Sequence, residues 1–325
     1  MDRRTELGAY LRSRRARLRP SDVGLPPGIG SRRVPGLRRE ELALLAGVSV
    51  DYYVELEQGR AGAVSDVVLD ALARALRLDD AERAHLANLA RPEKPGRRRR
   101  APRVSVRPGL RLLLDTFDGH PAYVVGPRTE VLAWSPLAAA LFADFDALPP
   151  AHRCMARLVY LEESWQSLYT DWETKADDVV GFLRLQAGRL PDDPELAALI
   201  GELSIKSDAF RARWAAQNVR EKTFGSVTLH HPAVGELDLS WESLRSPASA
   251  DQTLVVYSAA LGSPSEERLR MLASWHAPAA PAALRRGPDD SSPRTGSADP
   301  SPQAVRPATA RRSPSSARSV GPRPD

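Results

Sequence analysis

The chain has one cysteine in 325 residues, Cys154, so no disulfide can form within it and no cysteine-based zinc site can be assembled. A lone thiol fits a reducing compartment. No stretch approaches the ~18 continuous apolar residues of a membrane span. Met1-Asp2-Arg3-Arg4 leads into an amphipathic pattern, not into the apolar segment of a signal peptide. The expectation is a soluble, cytoplasmic protein with no membrane partner. Enzyme signatures are missing too: there is no phosphate-binding loop, no Gly-x-Ser-x-Gly elbow and no dinucleotide fingerprint. His230 and His231 are neighbours on a strand pattern and so point to opposite faces, and no other His/Asp/Glu set has ligand spacing. Glu162, Glu163, Asp177 and Asp178 read as helix surface. The expectation is a protein that is not an enzyme and holds no metal or cofactor. From Ala277 hydrophobic periodicity disappears among Pro, Ser, Ala and Arg. Such a tail, 277–325, cannot bury enough surface to offset its ordering entropy and is expected to be disordered.

What is present is unevenly charged. The net charge of +5 hides a basic first hundred residues, with 21 Lys/Arg against 14 Asp/Glu, and an acidic stretch 101–276, with 17 against 23. A polyanion such as a phosphate backbone suits the first region and is repelled by the second.

The basic region contains the most informative motif, Arg38 to Arg60. Glu40-Glu41-Leu42-Ala43-Leu44-Leu45-Ala46 predicts a short helix, and Gly47 supplies the freedom a tight turn needs. Val48 can plug into the core. Ser49 is a natural N-cap for a second helix over 50–58, which Gly59 closes. Small Ala43 allows the two helices to cross closely. This is the pattern of a helix-turn-helix, whose second helix enters the DNA major groove. Leu7, Tyr10, Leu11 and Leu18 predict a preceding helix over 5–18. Ser65 and Asp79 are candidate caps of two more helices, giving five around one small core.

A recognition helix reads bases with its N-terminal residues. The candidate base contacts are therefore Ser49, Val50, Asp51, Tyr52 and Glu55, while Tyr53 and Leu56 face the core. Asp51 or Glu55 could accept from a cytosine amino group and Val50 could touch a thymine methyl. Asp51 could equally serve the helix N-terminus electrostatically. Arg32, Arg33, Arg38, Arg39 and Arg60 are the candidate phosphate contacts. One domain of this size reads few base pairs, so useful specificity predicts a homodimer on a two-fold related operator in double-stranded DNA.

The motif resembles the XRE class of helix-turn-helix regulators. The run Pro35-Gly36-Leu37-Arg38-Arg39-Glu40-Glu41, then Gly47-Val48-Ser49-Val50-Asp51-Tyr52-Tyr53 and Leu69-Asp70-Ala71-Leu72-Ala73-Arg74-Ala75-Leu76, is similar to one branch, the MmyB-like transcription regulators of bacteria. The similarity extends through scattered matches over about 105–275. Glu55 stands where that family usually has arginine, removing a phosphate or guanine contact.

The predicted domains are a helix-turn-helix domain over 1–91, a basic linker over 92–107 containing Arg97-Arg98-Arg99-Arg100, and a second domain over 108–276. Pro108 to Phe117 predicts a helix, followed by strands at 122–125 and 130–134 joined by a turn near Pro127. Helices are expected at 136–145, 150–162, 168–189, 194–204 and 208–217. Strands return at 222–231, 236–241 and 253–260, with a closing helix to Trp275. Two strands, several helices and three strands resemble the PAS-like topology of the family's effector domain. The fold class is thus α+β multidomain: an all-α five-helix domain, then a PAS-like antiparallel sheet with helices over one face and room for an apolar pocket.

The resemblance implies a small, fatty-acid-like effector. It marks Trp134 and Trp214 as candidate pocket residues, with Arg153, Arg220 or His231 able to meet a carboxylate; surface ion pairs explain the arginines equally well. Ser135 and Cys154 replace asparagines usual in the family, leaving the ligand's identity open. Pro232 and Gly235 read as a hairpin turn. The expected function is a ligand-responsive, sequence-specific DNA-binding transcription regulator. The alternatives are a PAS-like domain acting as a dimerisation or docking scaffold without a ligand, and a sensor holding haem or flavin, which an absorption spectrum would reveal.

Overall fold

The computed structural model describes residues 3–26, 36–91, 105–117, 119–246 and 249–276. Arg32, Arg33, the arginine run 97–100 and the tail 277–325 lie outside the described residues. The architecture is an N-terminal helical region followed by an α+β region with an antiparallel sheet.

Five α-helices build the first region: α1 (Arg3–Arg17), α2 (Arg39–Ala46), α3 (Val50–Glu57), α4 (Asp66–Ala75) and α5 (Asp80–Ala90), with a 3-10 turn over Pro20–Val23. Their boundaries follow local chemistry. The hydroxyls of Ser49 and Ser65 accept from the backbone N–H of Tyr52 and Val68, and Asp79 and Glu82 form a reciprocal capping box on α5. Gly47 sits at φ 66° between α2 and α3, where a side chain would be strained, and the Val48 N–H returns to the Ala43 carbonyl. The core collects Tyr10, Leu11, Leu42, Tyr53, Leu56 and Leu72, all but sealed from solvent.

At the centre of this core lies Glu57, 2 % exposed. Arg15 of α1 donates to it at 2.6 and 3.2 Å, Arg39 of α2 at 2.8 Å, and the Tyr53 hydroxyl of α3 at 2.8 Å. Burial works against the charged carboxylate, but these hydrogen bonds outweigh it and hold Glu57 below the ordinary glutamate range. Three helices are thereby tied to one carboxylate.

The second region begins with α6 (Pro108–Asp115), β1 (Ala122–Val125) and β2 (Val131–Trp134). A helical middle follows: α7 (Pro136–Phe142), α8 (Met155–Leu161), α9 (Glu163–Leu168), α10 (Trp172–Arg189), α11 (Pro194–Lys206) and α12 (Asp208–Ala215). The chain then forms β3 (Phe224–His231), β4 (Gly235–Ser246), β5 (Ser249–Ser258) and α13 (Pro264–His276). The sheet order is β2-β1-β5-β4-β3, every pair antiparallel.

The strand alternation divides the sheet between two cores. Tyr123, Val255 and Tyr257 face the main core with α7–α12, whereas Val124 and Leu254 face α6 through Leu114. Helices therefore cover both faces in part, not one. The expected helix over 168–189 is also interrupted. Tyr169 and Thr170 pair with β3 residues Leu229 and Thr228, and the Asp171 carboxylate caps a fresh start at α10. The expected 150–162 helix likewise divides into a 3-10 turn over Pro150–His152 and α8.

The two regions meet along α10. Leu185 on that helix and Val219 beyond α12 are buried in the core of the N-terminal helices. Arg184 bonds Glu6 of α1, and Arg14 of α1 donates to the Gln217 carbonyl.

Candidate functional site

The first site is the face made by α2 and α3. Ser49 is spent as the cap of α3, leaving its exposed side chain at the helix mouth. Val50, Asp51 and Glu55 are exposed, and Tyr52 is half-buried against the core. Tyr53 and Leu56 point inward, as the 3.6-residue period requires. The α3 N-terminus therefore presents Val50, Asp51 and, one turn later, Glu55 to an approaching surface. Arg38 and Arg60 are exposed at the ends of this unit. Arg39 is different: its Nε is committed to Glu57, although the side chain stays 39 % exposed.

The second site is a cleft between α10 and the sheet. Two adjoining hollows, of about 190 and about 520 Å³, share Lys175, Asp178, Lys222, Trp241 and Tyr257 as walls. The floor is aromatic and apolar: Tyr123 and Tyr257 touch through their hydroxyls at 3.0 Å, beside Val125, Val255 and Met155. Tyr169 also lines it, with a buried hydroxyl that has no hydrogen-bond partner among the described residues. Burial raises the Tyr169 and Tyr123 phenols well above their ordinary range, so both stay protonated donors at neutral pH.

The rim is polar and mixed in charge, with Lys175, Arg220, Lys222 and Arg245 beside Asp171, Asp178 and Glu221. Arg220 and Lys222 reach the two oxygens of Asp178 at 3.1 and 2.9 Å, and Arg245 reaches Glu221 at 2.5 Å. Lys175 lies over the Tyr169 ring, 5.4 Å from its centre. The arrangement offers an apolar body an aromatic bed and offers a negative head Lys175, while Arg220, Lys222 and Arg245 face Asp178 and Glu221.

The pocket residues named from the sequence are not gathered there. Only Arg220 lines this cleft. Trp134 and Arg153 do meet, with the guanidinium 5.3 Å above the indole, but they form a separate cluster with Phe145 where Arg153 donates to the Leu148 carbonyl. Ser135 is consumed as the N-cap of α7, accepting from Ala138 and from Ala122 and donating to the His120 carbonyl. His231 braces its hairpin: Nδ1 accepts from the Ala233 N–H and Nε2 lies 3.2 Å from the Ala140 carbonyl. Burial lowers its pKa, which favours this neutral form. Cys154 is buried, 3.3 Å from the Thr129 hydroxyl. Trp214 borders a different cavity, between α10, α11 and the N-terminal helices.

The residues that sequence reasoning missed are Tyr123, Tyr169, Tyr257, Lys175 and Lys222. One signal was available. The period-two pattern puts Thr253, Val255 and Tyr257 on one face of β5, which is the lining they form. Among the described residues no group of three or more His, Cys, Asp or Glu side chains could hold a metal ion, and no helix is long and apolar enough to cross a membrane.

Comparison with known proteins gives two matches. Residues 106–272 match the family model described as MmyB-like transcription regulator ligand binding domain, and residues 6–86 match one described as helix-turn-helix domain. No curated protein matches the chain.

Proposed function

The chain belongs to the MmyB-like transcription regulators, pairing a helix-turn-helix DNA-binding domain with a ligand-sensing domain, and on that premise we propose which surfaces it uses and for what. The α3 N-terminus reads bases through Val50, Asp51 and Glu55, with Ser49 and Tyr52 at its margin. Arg38 and Arg60, with Arg32, Arg33 and the exposed part of Arg39, hold phosphates. The effector is a fatty-acid-like molecule lying in the cleft between α10 and the sheet, not beside Trp134. The regulator acts as a homodimer, because one head reads too few base pairs for useful specificity.

The observation that carries the ligand assignment is the unpartnered Tyr169 hydroxyl in the more polar hollow, which shares Lys175 and Lys222 with the adjoining apolar one. A buried polar group without a partner costs about 1–3 kcal/mol, which a ligand oxygen accepting its hydrogen bond would recover. Lys175, which lines both hollows, gives a carboxylate head its charge partner.

Native mass spectrometry of gently purified protein tests this. A co-purifying lipid-like acid that disappears in a Ser243→Phe variant, where the new ring obstructs the cleft, supports the reading. A chain that carries no small molecule and binds no fatty acid in titration supports instead a scaffold role for the second domain.

A further inference from the structure

A second cavity, of about 330 Å³, lies where the DNA-binding helices meet the sensor domain. It is walled by α1 and α5 on one side and by α10 and α11 on the other. Most of its surface is apolar, from Leu89, Leu190, Leu196, Ile200 and the Trp214 ring. Two buried polar side chains interrupt that surface, and neither is fully satisfied.

His85 of α5 is 2 % exposed, and both its ring nitrogens lack a hydrogen-bond partner among the described residues. Its ring packs against Gly188 of α10, where an added Cβ would fall 2.6 Å from Nδ1. One turn earlier on α10 stands Arg184, 1 % exposed, on the same helix face. Arg184 lies over the Trp214 ring at 3.9 Å and donates to the Trp214 carbonyl, to Gln217 and to Glu6, the last at a long 3.4 Å. Its Nε–H has no partner among the described residues.

The charges around these groups favour an anion. Burial first, and then Arg184, Arg14 and Arg189, push the His85 pKa down to about 3, so the imidazole is neutral and offers one N–H and one lone pair. The cavity's acids are already engaged: Glu6 faces Arg184, while Asp193 caps α11 and accepts from Arg128 at 2.8 Å. A buried guanidinium and a buried imidazole, each with an unused donor beside an apolar hollow, make a site that lacks an acceptor.

We propose that this interdomain cavity is a second ligand site, distinct from the sheet-side cleft, which takes a small amphipathic carboxylic acid. The carboxylate accepts from Arg184 Nε and the His85 ring, and the chain lies on Leu196, Ile200 and Trp214. Both domains contribute walls, so occupancy bears directly on how the DNA-binding helices are held against the sensor.

Titration calorimetry with decanoate on the full chain tests this, in a Ser243→Phe background that obstructs the sheet-side cleft. Saturable binding is expected there. It weakens at least about tenfold on adding Ala197→Trp, which fills the cavity from an exposed rim position, or Arg184→Met, and a similar loss is expected when 1-decanol replaces decanoate. The His85 ring nitrogen resonances, assigned by their absence in His85→Gln, move on saturation. Unchanged affinity with Ala197→Trp added, or unmoved His85 resonances at saturation, overturns the site. Loss of all decanoate binding in Ser243→Phe alone also overturns it, while leaving the sheet-side assignment intact.

Discussion

Arg15 Nε lies 2.6 Å from Glu57 Oε1 at the point where α1, α2 and α3 converge. Glu57 is the last residue of the recognition helix, so the same ion pair that seals the core sets how α3 projects. Glu57→Gln leaves Arg15 buried without its countercharge, a loss of about 3 kcal/mol in a pair this enclosed. Urea unfolding monitored by circular dichroism should show it. The pH dependence follows with its sign. Glu57 titrates below its unfolded value, so its contribution is complete above about pH 4.3 and is lost as pH falls through the lower folded value. The Gln variant should lack that acid loss.

His85 gives a second pH signature. Its folded pKa of about 3 lies below the ordinary imidazole value, so the unfolded chain binds the extra proton first. Stability is then largest above about pH 6.5 and declines towards pH 3 by up to about 1.4 kcal/mol per pH unit. Unfolding free energies measured at pH 7.5 and pH 5.5 should differ by more in the native chain than in His85→Leu.

The arginines of the DNA face should separate into two behaviours. Arg38→Ala and Arg60→Ala weaken binding to all sequences alike and each lower the salt slope of binding by about one. Arg39→Ala should also lower the unfolding free energy, because it removes a donor from Glu57. Anisotropy titrations across a salt series, paired with melting curves, distinguish them. Asp51→Ala, by contrast, should relax preference at one base position by about 1–3 kcal/mol.

In the sheet-side cleft, Tyr169→Phe deletes a hydroxyl that has no partner. The free protein should lose nothing and could gain up to about 1 kcal/mol of stability. Affinity for a fatty-acid ligand should fall all the same. Thermal melts with and without oleate measure both effects in one experiment.

These relationships also explain what could be read from the sequence. The helix-turn-helix was legible because its determinants are local: Ser49, Ser65 and Asp79 cap within three residues, and Gly47 marks its turn within one. The strand order of the second domain was legible for the same reason, as were its helices except α9, which follows the expected 150–162 helix and was not expected. The break at Tyr169 was not, because it depends on a pairing with Leu229 sixty residues away. The cleft was hidden too: Tyr123 and Tyr257 meet only because β1 and β5 are neighbours in the sheet. Tryptophans drew attention by their chemistry, yet Trp134 lies outside both cavities and Trp214 serves the domain boundary. Nothing local to Arg184 or His85 announced that they would be buried face to face with another domain.

A ligand in the second domain that changes how tightly the first holds DNA must change the operator dissociation constant. It should be measured by anisotropy on a duplex obtained by binding-site selection, with protein stripped of small molecules and then reloaded with fatty acid. The two constants should differ at least about fivefold, with the fatty acid's own affinity shifted by the same factor when operator is present. Equal constants for stripped and reloaded protein would mean that the two domains are not coupled.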